Sequence, residues 1–238
     1  MDNAIYASLN RQAGLMSEMR AIANNIANAS TTGFRKEGVV FAEHVRSLGP
    51  DEPSLSMARA SGRLINLEQG GLTKTGGTFD LAIEGDGFFM IQTPTGQQLT
   101  RAGNFMPSAE GELVTADGYP VLDTGGSPIS IPPGTRAFAV ANDGTLSADG
   151  APVSQIGLFN VADSAQLIHA GNNRFSVDGA PEPMEDAKIF QGFLEESNVS
   201  AVTEITRMIE VQRAYEMGQS FLDKEDARIR AVLQTMGR

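Results

Sequence analysis

The sequence predicts an α+β fold. N- and C-terminal helices pair as a coiled coil, and a central all-β domain, antiparallel and sandwich- or barrel-like, lies between them in the chain. Three observations predict it. All 11 prolines lie between Pro50 and Pro183, which leaves both ends free to form long helices. Apolar residues at both ends recur in alternating steps of four and three, the period of a helical seam. Short apolar runs broken by glycine-containing turns fill the middle, as expected of closely spaced antiparallel strands.

At the N-terminus, residues 1–36, the stripe runs Ile5, Leu9, Gln12, Met16, Met19, Ala23 and Ile26. It is too narrow for the centre of a globule and needs a partner helix. The C-terminal segment is the obvious one; a helical hairpin lying on the β core is the alternative. The segment leaves through Ala-Asn-Asn-Ile-Ala-Asn-Ala-Ser-Thr-Thr-Gly-Phe, Ala23–Phe34. Asn24 and Asn28 share a helix face and Asn25 flanks it, so these amides sit beside the seam, where they can donate and accept across to another helix. Thr31-Thr32-Gly33 then ends the helix, with Gly33 free to turn left-handed and Phe34 folding back as an apolar anchor.

Residues 37–78 have a poor pattern and are expected to form an extended connector, with a loop at Leu48–Pro53. Residues 79–195 form the β domain. Its runs include Leu81–Thr93, Leu99–Met106 and Glu112–Leu122, with hairpin-type turns at Asp117-Gly118 and Asn142-Asp143-Gly144.

The C-terminal segment, 196–238, carries the strongest period. One row, Ala201, Met208, Tyr215, Leu222, Ile229 and Met236, is wholly apolar or aromatic. The other, Ile205, Gln212, Gln219, Asp226 and Leu233, is polar in its middle. Polar groups in a seam weaken it but fix register and partner number.

Composition narrows the function. The 238 residues carry a net charge of −11, so nucleic acid, which needs clustered Lys and Arg, is not an expected partner. The acidity belongs to the middle: residues 37–195 hold 20 acidic and 8 basic residues. Cysteine is absent, which removes disulfides, thiolate metal sites and a Cys nucleophile. No apolar run is long enough to span a membrane. Nor does the N-terminus have a basic stretch followed by an apolar core, so any export is expected without a cleavable signal peptide.

No chemistry announces itself. His44 and His169 lack partners at metal-site spacing. Gly71–Thr78 resembles a phosphate loop but has Gly77 where the lysine belongs. Glu84-Gly85-Asp86-Gly87 lacks the spaced ligands of a calcium loop and is expected to be a tight turn. No catalytic, cofactor-binding or metal-binding residue is assigned, and an enzyme is not expected.

Asn24–Lys36, NNIANASTTGFRK, resembles the N-terminal signature of the bacterial flagellar axial proteins, the rod, hook and hook-associated subunits. Leu81–Phe89, Thr100–Phe105, Gly111–Val114 and Gly118–Leu122 are similar to the start of that family's β domain. Leu194–Val199, Met208–Glu210 and Gln212–Glu216 match its C-terminal signature. The matches lie in order over nearly the whole chain.

The resemblance implies a structural subunit of the flagellar rod. It would be exported unfolded through the flagellar type III apparatus and polymerise through its terminal helices, with copies of itself and other rod proteins, into a torque-transmitting shaft in the periplasmic space. The opening Met1–Tyr6 and the short connector look most like proximal-rod members; a distal-rod member is the alternative. Candidate assembly residues, on or beside the seams, are Ile5, Leu9, Met16, Met19, Asn24, Asn25, Ile26, Asn28, Phe34, Ile205, Met208, Gln212, Arg213, Tyr215 and Leu222. Two rivals have other chemistry: a secreted ligand-binding or hydrolytic β domain with helical arms, and a cytosolic coiled-coil adaptor.

Overall fold

The computed structural model describes residues 2–46, 55–161, 167–171, 173–177, 179–184 and 188–236, the side chains of 2–7 and 41–61 excepted. Two helices flank a β-rich middle. Helix α1 is Asp2–Ala27. The strands are β1 Glu37–Arg46, β2 Leu55–Ile65, β3 Leu72–Lys74, β4 Leu81–Glu84, β5 Phe88–Thr93, β6 Gly96–Thr100, β7 Met106–Pro107, β8 Leu113–Val114 and β9 Phe138–Val140. They continue with β10 Thr145–Ala148, β11 Ala151–Gln155, β12 Leu158–Asn160, β13 Leu167–Gly171, β14 Arg174–Val177, β15 Glu182–Pro183, β16 Lys188–Gln191 and β17 Phe193–Glu195. Helix α2, Ala201–Met236, closes the chain.

The chain folds as two compact units. The first gathers 1–27, 37–64 and 200–238, and so contains α1, α2, β1 and most of β2. Ser200 caps α2: its carbonyl accepts the Glu204 amide at 3.0 Å, and its hydroxyl lies 3.0 Å from the Thr203 hydroxyl. Three contacts fix the helix pair as antiparallel, since partners fall in α2 as they rise in α1. Gln12 reaches Gln219, Glu18 reaches Arg207, and Asn25 reaches Glu204. At 1.5 Å per residue α1 is about 39 Å long and α2 about 54 Å.

The stretch 37–78, expected as an extended connector, is built of strands. β1 and β2 pair with each other as a two-stranded sheet, and β3 follows. Alternation was hard to see there because a narrow two-stranded ribbon has little core to alternate against. The expected loop at Leu48–Pro53 falls outside the described residues.

The second unit contains 28–36 and 65–199. Its main sheet has six antiparallel strands in the order β13-β14-β6-β5-β12-β15. A three-stranded sheet, β11-β10-β9, and the pairs β16-β4, β17-β3 and β7-β8 complete it. β5 explains the run Phe-Phe-Met-Ile. Alternate side chains point to opposite faces, so Phe89 and Ile91 enter one core with Leu81, Leu113 and Ile189, while Phe88 and Met90 enter a second with Leu99 and Phe175. A strand covered on both faces reads as continuously apolar. The turn expected at Asn142-Asp143-Gly144 joins β9 to β10, Gly144 donating to the Ala141 carbonyl at 2.9 Å. The turn at Asp117-Gly118 closes with Gly118 donating to Thr115 at 2.9 Å.

Candidate assembly interface

In the first unit the helices meet through faces that differ from the expected seams. The buried residues of α1 are Gly14, Glu18, Ala21, Ile22 and Asn25, with Gln12 at the edge. Gln12 of the expected stripe meets α2 at Gln219, and the other described members lie away from the buried face. Leu9 is 48% exposed, Met16 37%, and Ala23 is open, while Met19 and Ile26 are half-buried. Ile5 belongs to α1, but its side chain is outside the described residues.

On α2 one expected row holds as far as Ile229: Ala201, Met208, Tyr215, Leu222 and Ile229 are half-buried, while Met236, its last member, is 81% exposed. The second row is set one residue earlier than expected, at Glu204, Val211, Gly218 and Glu225. Ile205 is 49% exposed, and Gln212 and Gln219 are exposed. The physical reason is polar pairing and packing: Glu204 is drawn inward by Asn25, and Gly218 faces the Gln12 side chain, with room for a Cβ at an ordinary contact distance of 3.5 Å. A hydropathy pattern favours the isoleucine row and cannot register inward places taken by a glycine and a paired carboxylate.

The inner face is held by polar pairs. Asn25 Nδ2 donates to the Glu37 carbonyl at 2.9 Å and to Glu204 Oε2 at 3.0 Å, while its Oδ1 accepts the Glu37 amide at 2.9 Å. Glu204 and Asn25 are both buried, and Glu204 sits in the first turn of α2, where a carboxylate faces the positive end of the helix dipole. Arg207 clamps Glu18 Oε1 with Nη2 at 2.6 Å and Nε at 2.9 Å.

The outer face of α2 carries Val202, Ile205, Ile209, Met217 and Phe221, all exposed, with the exposed Arg213 in the same row. Gln212 turns along the helix to Glu216, 3.1 Å away. Only Glu204 and Val211 are buried among the 36 residues of α2. A helix this long with so little burial draws little stability from its own chain and presents an apolar row ready for a partner.

Asn24 is half-buried on α1. Asn28, expected on the helix, lies just beyond its last residue and anchors the turn that follows: its carbonyl accepts the Thr31 amide at 3.1 Å, and its Oδ1 accepts the Thr31 hydroxyl at 3.2 Å. Helix α1 therefore stops at Ala27, before the Thr31–Gly33 stop that was expected.

Gly33 is left-handed, with φ +65°, and a Cβ there would lie 2.4 Å from the Arg101 carbonyl carbon. Phe34 is fully buried in the second unit, its ring 5.6 Å from that of His169, so it anchors its own chain. Beside it, Glu195 bridges Arg35 at 2.8 Å and Arg101 at 3.1 Å, all three side chains no more than 2% exposed. Arg35 also donates to the Glu68 carbonyl. Burial lowers Arg101 to about 10; Glu195 pulls it back up, and Arg35 adds to the fall. Sequence reasoning missed this triad and the Glu18, Glu37 and Glu204 positions. The available signal was Arg35, Arg101 and Glu195 each standing inside a matched motif, which is unusual for charges that serve only solubility.

Among the described residues no three His, Cys, Asp or Glu gather to hold a metal, and no helix is long and apolar enough to cross a membrane. The chain matches three family models: a flagella basal body rod protein model over residues 5–35, a flagellar hook protein FlgE/F/G D1 domain over 82–148, and a flagellar basal body rod FlgEFG protein C-terminal model over 191–235. It is 42% identical to the flagellar basal-body rod protein FlgF of Caulobacter vibrioides, covering 100% of this chain and 99% of that one. It is 38% identical to FlgF of Mesorhizobium japonicum over 100% and 99%, and 32% identical to the rod protein FlgG of Bacillus subtilis over 95% and 96%.

Proposed function

The chain belongs to the flagellar basal-body rod protein family, a structural and not an enzymatic one, and from that membership we propose how this subunit of the rod assembles and where it stands. It takes a proximal-rod place. Full-length likeness supports this, at 42% and 38% to relatives named FlgF against 32% to one named FlgG. Its partners are copies of itself and the neighbouring proximal and distal rod proteins. It reaches the periplasmic space through the flagellar type III export apparatus.

Residues 1–36 and 196–238 act as the helical assembly domain, 37–78 as its link, and 79–195 as the β domain. The α1–α2 pairing within one chain completes into a coiled-coil array when neighbouring subunits cover the outward stripes. Leu9, Met16, Met19 and Ile26 on α1, with Ile205 and Arg213 on α2, meet other subunits; Ile5 extends the same row. Met208, Tyr215 and Leu222 serve the pair inside one chain, Asn24, Asn25 and Asn28 set its register and exit, and Gln212 borders both. Head-to-tail contacts of this kind do not close, so they build an open helical array through which torque passes.

The observation that carries the proposal is the exposed apolar row of α2 beside almost no burial. Terminal segments so thinly buried are expected to be largely disordered in the free subunit and to order on assembly. Deleting the gene and imaging purified flagellar bases tests it. Bases that keep their membrane rings but lack a completed rod and hook are expected, and the point where the rod stops identifies the segment. Complete, rotating flagella with no second copy of the gene would overturn it. Circular dichroism of the soluble chain separates this from an adaptor with preformed arms, which would already be strongly helical.

A further inference from the structure

The second unit has a margin built differently from its cores. Residues 28–36, 65–74 and 193–199 form a band whose buried apolar side chains are Phe34, Ile65 and Val199, and β3 and β17 pair only with each other. Charge and hydrogen bonds hold it. Glu195 is its centre: the carboxylate bridges Arg35 and Arg101 and accepts the Gly70 amide at 3.0 Å, while the Glu195 carbonyl accepts the Gly33 amide at 2.8 Å. Asn198 is the second fastening. Its Oδ1 accepts the Lys36 amide at 2.7 Å, and its Nδ2 donates to the carbonyls of Asn66 at 3.1 Å and Glu68 at 2.8 Å. The segments are pressed together so closely that a Cβ on Gly70 would sit 2.0 Å from the Glu196 carbonyl oxygen.

The chain passes out of this unit at four places, 27/28, 36/37, 64/65 and 199/200, and every one is an end of this band. We propose that Glu195 and Asn198 form a latch that ties these four crossings into one cooperative base, which opens and closes as a unit separately from the six-stranded sheet. Three stretches far apart in sequence share two fastenings. Two buried guanidiniums depend on one carboxylate, so losing its charge leaves both cations poorly compensated at once. The core of Phe89, Leu113 and Ile189 takes no residue from the band, while Ile65 and Leu67 join the other. In a rod subunit such a base distributes load arriving through any one crossing over all four. That mechanical meaning rests on the rod reading; the cooperative opening does not.

Native-state hydrogen exchange on the full-length chain tests the latch. In Glu195→Gln, peptides covering 28–36, 65–74 and 193–199 are expected to exchange faster together, by about tenfold or more, while 88–100 keeps its original rate. Asn198→Ala leaves no buried cation stranded and therefore retains the fold if the first variant does not. It is expected to give the same pattern, by about three- to tenfold. Acceleration confined to the few residues around the substitution would overturn the proposal, and so would equal acceleration of 88–100. Because the assay reads the isolated chain, its failure is distinct from failure of the rod reading, which is read in flagellar bases.

Discussion

Asn25 and Glu37 exchange two hydrogen bonds of 2.9 Å each, the Asn25 amide donating to the Glu37 carbonyl and accepting from the Glu37 N–H. A side-chain amide thus imitates the backbone of a pairing strand and fastens the start of β1 to α1. Its remaining N–H goes to Glu204 of α2, so one residue holds three elements of the first unit. Removing that amide takes away three buried hydrogen bonds, a loss of roughly 1–3 kcal/mol. Rods containing Asn25→Ala are expected to dissociate at lower temperature than wild-type rods. Asn25→Asp is expected to be worse, since it sets a second carboxylate against Glu204. Rods of unchanged thermal stability in both would refute the register role.

The outward row of α2 makes the reverse prediction. Ile205→Ser with Ile209→Ser alters exposed positions, and the thermal unfolding of the β unit should be unchanged. Incorporation into flagellar bases, counted in a complemented deletion strain, should fall severely. Gln212→Ala, which loses only its bond to Glu216, should have a mild effect by itself. A Gln212 defect as deep as the double isoleucine change would place the seam where the polar row lies.

Gly33→Ala tests the turn. Its left-handed φ of +65° and the Arg101 backbone 2.4 Å from the added carbon leave no relaxed conformation. Strain alone is worth about 1–3 kcal/mol, and the clash adds to it. Urea denaturation of the full-length chain, followed by a β-unit signal, should show a lower midpoint with an unchanged slope.

Leu146→Ala tests the larger core. The side chain is fully buried with Ile129, Val140 and Ile156, and its loss is expected to cost about 2–5 kcal/mol. Exchange should accelerate across the whole β unit, in contrast to the confined effect expected at Glu195.

Legibility followed the physical origin of each feature. The helical ends were plain because exclusion of proline and a repeated step act over many residues. The apolar row Ala201–Ile229 was found for the same reason. The companion row was displaced by one residue because bulky Ile205 advertises itself in the sequence, whereas Gly218 faces Gln12 and Glu204 is held by Asn25, and both partners need the fold to exist. On α1 the conspicuous stripe, Gln12 apart, faces away from α2; amphipathicity alone does not say which chain a face is to meet. β1 and β2 were obscure because a two-stranded ribbon imposes weak alternation. The pairing of the Glu195 triad could not be read from local pattern, because its members stand at positions 35, 101 and 195; only their places inside three matched motifs marked them.

β5 acts as a party wall between two rooms. Phe88 and Phe89 are neighbours in the chain, yet one furnishes the room with Leu99 and Phe175 and the other the room with Leu113 and Ile189. Adjacent codons therefore drift under separate constraints. A change of size at Phe88 is compensated on the side of Leu99 and Phe175, so the two sides of the subunit can diverge among relatives at different speeds while sharing this strand.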